Sequence, residues 1–191
     1  MHRNTALLIV DMQMEMANVT ASGRQRANPE AEDKTAALAA AFRAAGLPVV
    51  HVLHDDPRPA SKFRRDLPSG RPMPCAIPQE GEAVLWKTGS SGFVDTGLAE
   101  HLREAGVSRL VILGGVAAFC VNSTARSAAN LGFEVNVVED ALIAFDLPAR
   151  KGGMLDAEVV LEVTLSALHA GFGRVLPAAE VLEELADLPP A

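Results

Sequence analysis

Short apolar runs, each long enough for one strand and too short for a helix, alternate along this chain with stretches of helical periodicity. Residues 6–10 (ALLIV) and 49–53 (VVHVL) flank a stretch that opens at Asn28-Pro29 and closes at Gly46. Asn is a favoured N-cap, Pro fits the first helical position and Gly suits the residue past the end. Leu38, Phe42 and Ala45 recur at helical spacing, so one stripe of that helix can bury. Strand, helix and strand in this order predict a β-α-β crossover, which implies parallel strands and a right-handed connection.

The same alternation continues. Asp95 is placed to cap a helix that carries Leu98 and Leu102 and closes at Gly106, and Leu110, Val111, Ile112 and Leu113 follow as a buried strand. A helix is expected over 120–131 with Gly132 behind it, then a strand at 134–138, a helix at 155–170, a short strand at 174–176 and a capping helix at 178–186. The pattern predicts an α/β fold: a single doubly wound domain over residues 1–191, with a five- to six-stranded parallel sheet and helices on both faces. A chain of 191 residues suits one such core. Residues 55–82 break the alternation, being rich in proline and without periodicity. They follow the second strand, so they should hang over the carboxyl edge of the sheet, as a wall of a site or as an oligomer contact.

Charge and hydropathy remove several classes of function. The formal net charge is −7, and the densest basic spot, Arg64-Arg65, is followed at once by Asp66. A nucleic-acid groove needs concentrated positive charge, so none is expected. No apolar run approaches the ~18 residues of a membrane span. The apolar run near the start is too short for a signal sequence and ends in an acid, which points to the cytoplasm. Two cysteines, Cys75 and Cys120, are too few for a disulfide framework and are expected as thiols.

Three positions stand where chemistry is usually carried. Asp11 directly follows Leu7-Leu8-Ile9-Val10, which puts a carboxylate at the C-terminal end of a central strand, where it can act on a ligand or cap the next turn. Cys120 follows the strand-ending Gly114-Gly115 and opens a helix, whose free N–H groups and dipole favour a thiolate. The alternative is a small buried hydrophobe. Lys87 ends the apolar stretch Ala83-Val84-Leu85-Trp86 ahead of the sharp turn TGSSGF. Between a carboxylate and a thiol it would stabilise the thiolate and orient the acid; alone it would be a solvated surface residue. Cys75, in the proline-rich segment, has no comparable setting.

The strings ALLIVDMQ (6–13), KTGSSGF (87–93), GGVAAFCVNSTARSAANLGFEV (114–135) and VVEDA (137–141) occur in this order and spacing. Together they resemble the isochorismatase-like cysteine hydrolases, whose relatives include nicotinamidases and N-carbamoyl amidohydrolases; the resemblance runs from about Thr5 to Asp146. It implies Asp11 as proton-transfer base, Lys87 as electrostatic support and Cys120 as nucleophile. It also implies a cis peptide between Gly115 and Val116, and an oxyanion hole built from the N–H groups of Val116 and Cys120. The substrate pocket is expected to include Met16, His54, Ala117 and Phe119. Two departures bear on that pocket. Ala117 and Ala118 replace the usual Thr and acid, which implies a less polar pocket, and DMQMEM puts Met14 and Met16 where DMQNDF is common, flexible thioethers that can still wall a pocket.

Metal and cofactor are not expected. Nicotinamidases of this kind carry an Asp-x-His pair and a second His after the second strand, whereas this chain reads His51-Val-Leu-His54-Asp55-Asp56 with no further His before His101. Residues 51 and 54 are an odd number apart on a strand and face opposite ways. His54 ends its strand at the ligand-binding edge and can touch substrate; His51 is expected in the core or an interface. The resemblance then implies hydrolysis of a small amide, imide or ureido C–N bond through a thioester on Cys120, with no organic cofactor, in a homo-oligomer without nucleic-acid or membrane partners. Three other readings stay open: a Cys120–His54 pair, a vinyl-ether hydrolase of the isochorismatase type, and a non-catalytic binding or assembly subunit on the same fold.

Overall fold

A computed structural model describes residues 1–188. The chain runs β1 (Thr5–Val10), α1 (Met14–Ala21), β2 (Arg26–Ala27), α2 (Ala31–Ala44), β3 (Val49–His54), β4 (Ala83–Lys87), α3 (Leu98–Glu104) and β5 (Arg109–Gly115). A π turn (Ala117–Val121) leads into α4 (Asn122–Asn130), followed by β6 (Glu134–Phe145), the two-residue strands β7 (Leu147–Pro148) and β8 (Met154–Leu155), α5 (Ala157–Gly171), β9 (Arg174–Leu176) and α6 (Ala178–Ala186).

One mostly parallel sheet organises these elements. Its order is β4-β3-β1-β5-β6, with β9 parallel and the short β2 antiparallel to different stretches of β6. All six residues of β1 are buried because the sheet is covered on both sides, which is why it reads as a continuous apolar run and not as an alternation. Ala6, Leu8 and Val10 face one core with the stripes of α3, α4 and α5. Leu7 and Ile9 face the other, with α1, α2 and α6. The single α/β unit with a parallel sheet and two helical layers is the architecture that the alternation of runs predicts.

Several local expectations are corrected. Asn28 does not cap α2, whose N-cap is Glu30. It adopts a left-handed φ of +53° and turns its amide to the carbonyls of Glu139 and Leu142, at 2.6 and 2.9 Å, fastening the chain to β6 instead. Asp95 does not cap α3 either; Gly97, at φ +72°, takes that position. The strand expected to stop at 138 runs on to Phe145, through a register shift against β5 between Ile112 and Gly114. The helix expected to open at Cys120 opens at Ala117 with a wider turn, in which the Val121 N–H reaches back to the Val116 carbonyl at 3.4 Å. Such single π turns recur at functional positions.

Topology brings four strand ends to one edge. Val10 is in register with Val52 and with Gly114, and His54 with Lys87. Asp11, His54, Lys87 and the turn after Gly115 therefore share the carboxyl edge, where open α/β sheets bind their ligands.

Candidate active site

Asp11 leaves β1 with a φ of +47°, and its N–H donates to the Val52 carbonyl at 2.8 Å, so the backbone of two strands holds its direction. Two residues on, Gln13 is fully buried. Its amide nitrogen donates to the carbonyls of His54 (2.9 Å) and Gly70 (2.7 Å), and its oxygen accepts from the His54 N–H (2.8 Å). Gln13 thus pins the ends of β1 and β3 to the long loop. Sequence reasoning passed over it; a Gln directly after a buried strand, ahead of a loop with many unpaired backbone groups, is the signal that was there.

Lys87 closes the arrangement from the end of β4. Its side chain is sealed from solvent, and Nζ lies 2.7 Å from Asp11 Oδ2, 3.2 Å from Cys120 Sγ, 3.3 Å from His54 Nδ1 and 3.2 Å from the Gly89 carbonyl. Structure therefore brings the buried Asp11 and Lys87 and the partly buried Cys120 into one cluster, with His54 at its margin. Asp11 Oδ1 is buried without a hydrogen-bond partner among the described residues.

The electrostatics differ from the expectation of a thiolate activated by a helix start. Cys120 is the fourth residue of the π turn and not its first, and burial pushes its thiol up to about 12, with the Asp11 carboxylate adding to the effect and Lys87 opposing it. Burial also raises Asp11 above the ordinary carboxylate range, against the pull of Lys87. Losing a proton to solvent would leave two anions against one ammonium in a dry site. Passing the thiol proton to Asp11 keeps the sum of charges at zero, so transfer within the pair escapes the penalty that deprotonation to water meets.

The nucleophile turn has its own constraint. Gly114 sits at φ +120°, and a Cβ there would stand 2.0 Å from the Val10 carbonyl oxygen, so only glycine lets β1 and β5 approach as they do. The Gly115–Val116 peptide is cis, and the Val116 N–H donates to no acceptor among the described residues.

Above the cluster lies a cavity of about 510 Å³, a size suited to a small molecule. Met16, His54 and Phe119 line it together with Asp11, Val116 and Cys120. Ala117 does not: it is fully buried in the core under the turn, because the π turn directs it down toward the sheet side of α4 and α5. The outer wall comes from the long loop, through Asp56, Arg58, Ala60, Ser61 and Phe63, so this part of the loop is a wall of the cavity. Arg58 forks onto the Asp56 carboxylate, Nε at 2.9 Å and Nη2 at 2.6 Å, and holds it far below the usual carboxylate range.

His51 and His54 point to opposite faces. His51 is fully buried, with Nε2 2.9 Å from Glu82, which also takes Arg43 at 2.7 Å and the Gln79 N–H at 2.8 Å. Arg43, the Gln79 N–H and His51 bring Glu82 down to about 2 despite partial burial, while desolvation lowers His51 and keeps it neutral. The Cys75 thiol, half-buried in a short turn, is pushed up to about 11 by burial. Among the described residues no group of three or more His, Cys, Asp or Glu side chains is arranged to hold a metal ion, and no helix is long and apolar enough to cross a membrane.

Comparison with known proteins agrees with this architecture. A model of the isochorismatase domain matches residues 5–167. A secreted isochorismatase effector of Verticillium dahliae is 32% identical over 181 residues, covering 94% of this chain and 90% of its own. A streptothricin hydrolase of Streptomyces noursei is 39% identical over 147 residues, which are 75% of this chain and about half (51%) of that protein. The crystal structure of a putative hydrolase of the isochorismatase family from Chromobacterium violaceum superposes with a TM-score of 0.92 at 34% identity, over 98% of this chain and 96% of the other.

Proposed function

The chain belongs to the isochorismatase family of hydrolases, and from that premise we propose that it is a cysteine hydrolase of small non-peptide C–N bonds, acting on an amide, imide or ureido group through a thioester on Cys120. One observation carries the reading: a solvent-sealed Lys87 ammonium lies within hydrogen-bond range of both the Asp11 carboxylate and the Cys120 thiol, which line a cavity. A buried Lys with no reacting partner would be a costly structural choice, since an apolar residue of similar volume serves stability at least as well.

In the proposed reaction Asp11 takes the thiol proton as Sγ adds to the substrate carbonyl carbon. The Val116 and Cys120 N–H groups hold the developing oxyanion, an interaction worth ~3 kcal/mol per donor in comparable sites. Collapse breaks the C–N bond, and the leaving nitrogen takes the proton from Asp11. A water molecule then gives its proton to Asp11 and its oxygen to the thioester. Breaking the C–S bond releases the acid and returns the proton to sulfur. Lys87 stays protonated throughout and balances whichever of the two partners is anionic. His54, Met16 and Phe119 contact the substrate. The cycle needs a free thiol, which fits a reducing cytoplasm, although one relative is secreted. Exposed Val159 and Val163, on one face of α5, support self-association as part of the same reading.

The test is alkylation of Cys120 by iodoacetamide against pH, read by peptide mass spectrometry, in the native protein and in Asp11→Asn. A thiol that passes its proton to Asp11 should react at a rate that is flat through neutrality. In Asp11→Asn the rate should instead climb with hydroxide toward the high pKa of an isolated buried thiol. A native profile that already climbs like that of Cys75 defeats the mechanism and favours a binding or assembly role.

A further inference from the structure

We infer that His54 binds substrate as its Nε2–H tautomer, and that the site therefore selects substrates with a second hydrogen-bond acceptor across the nitrogen from the carbonyl that Cys120 attacks, as in imides and acylureas; this rests on the cysteine-hydrolase reading above. An ammonium can only donate. With Lys87 Nζ 3.3 Å from Nδ1, Nδ1 must offer its lone pair, and in the neutral ring the proton stands on Nε2. Desolvation and Lys87 lower the His54 pKa, outweighing Asp11, Asp56 and Asp55, so the ring is neutral.

Its orientation is held on several sides. Gln13 grips both the N–H and the carbonyl of His54, and Phe63 stands edge-on to the ring at 5.7 Å. Nε2 has no protein partner among the described residues, and the ring lines the cavity. The charged groups nearby do not compete for this role, since Arg58 and Asp56 neutralise each other and Met16, Phe63 and Phe119 are apolar. Because the same ammonium touches Cys120 Sγ and His54 Nδ1, the donor and the nucleophile border one floor. A carbonyl seated at Sγ thus brings an acceptor across the adjoining nitrogen to Nε2, whereas a simple amide offers none there. The balanced charge of the site suits an uncharged substrate.

Two readouts decide the matter. Long-range ¹H–¹⁵N correlation spectra of histidine-labelled protein, with His54 assigned through the His54→Gln variant, should place the proton on Nε2; a proton on Nδ1 overturns the inference. Succinimide and pyrrolidin-2-one, rings of one size differing by a single carbonyl, are then compared for protection of Cys120 against iodoacetamide. Succinimide should protect at about tenfold lower concentration, the worth of one hydrogen bond. The preference should survive in His54→Gln, which keeps a donor, and vanish in His54→Leu. A preference that persists in His54→Leu sinks the assignment. Protection with no thioester ever formed sinks the hydrolase reading alone, and so separates the two.

Discussion

At the scale of the residue, the site is governed by what burial does to three ionisable groups. Lys87 is held by two carbonyl or carboxylate oxygens and two softer acceptors. Replacing it with Met should leave Asp11 buried without its cation and cost about 3–5 kcal/mol at neutral pH. Burial already raises Asp11, and without Lys87 the rise should grow. A group whose folded pKa lies above its unfolded value contributes stability in acid and loses it as pH rises through the folded pKa. The deficit of Lys87→Met should therefore shrink as pH falls toward the unfolded Asp value near 4, a trend that urea melts across pH 4–8 would reveal. A deficit independent of pH would mean that Asp11 is not the group left uncompensated.

At the scale of the element, the site depends on how strand ends are tied together. Gln13 makes three hydrogen bonds that join β1, β3 and the loop over 55–82. Gln13→Ala should cost about 2 kcal/mol, because the His54 N–H and two carbonyls lose their partner, and amide exchange should quicken at His54 and around Gly70 while β5 stays protected. Uniform loss of protection would show that Gln13 supports the fold at large and not this junction. On the far face, Glu82 links β3 to α2 through His51 and Arg43. Its folded pKa, about 2, lies below the unfolded value, so its contribution is present above pH ~4.3 and is lost as pH falls toward 2. Glu82→Gln should cost about 1 kcal/mol at neutral pH, given its partial exposure, and the gap to the native protein should close in acid. Chemical melts at pH 7 and pH 3 test this directly.

At the scale of the whole molecule, the two helical layers are unequal in how they meet solvent. Along α5, Val159 (48% exposed) and Val163 (65%) lie one turn apart, and Met154 (55%) and Leu155 (43%) precede them. Scattered apolar residues are ordinary, but a stripe one turn apart next to a short hairpin is the surface on which the proposed self-association would rest. Light scattering should give a multiple of 20.1 kDa, and Val163→Lys should shift it toward the monomer without loss of helicity. A native protein that elutes and scatters as a monomer at micromolar concentration removes the homo-oligomer from the reading. The acidic balance of the chain, −7, keeps the rest of the surface repulsive between copies.

Sequence by itself determined the alternation of strands and helices, because strands covered on both faces must be apolar throughout and helices covered on one face must be striped. β1, β3 and β5 were legible for that reason, and resemblance to a family singled out Asp11, Lys87 and Cys120. Elements whose residues answer to partners elsewhere in the chain were not legible: the second half of β6, the short α1, and the π turn that moves the helix start from Cys120 to Ala117. Asn28 and Asp95 looked like caps because local capping chemistry is all a short window contains, yet Asn28 is drawn to β6 carbonyls far along the chain. The proton affinity of Cys120 was read with the wrong sign. A helix start lowers a thiol pKa by local dipoles, whereas the desolvation and the Asp11 charge that raise it exist only once β1, β4 and the turn after β5 have closed around the sulfur. Tertiary structure alone decided that balance, because the energy of a charge depends on everything packed around it and not on its neighbours in sequence.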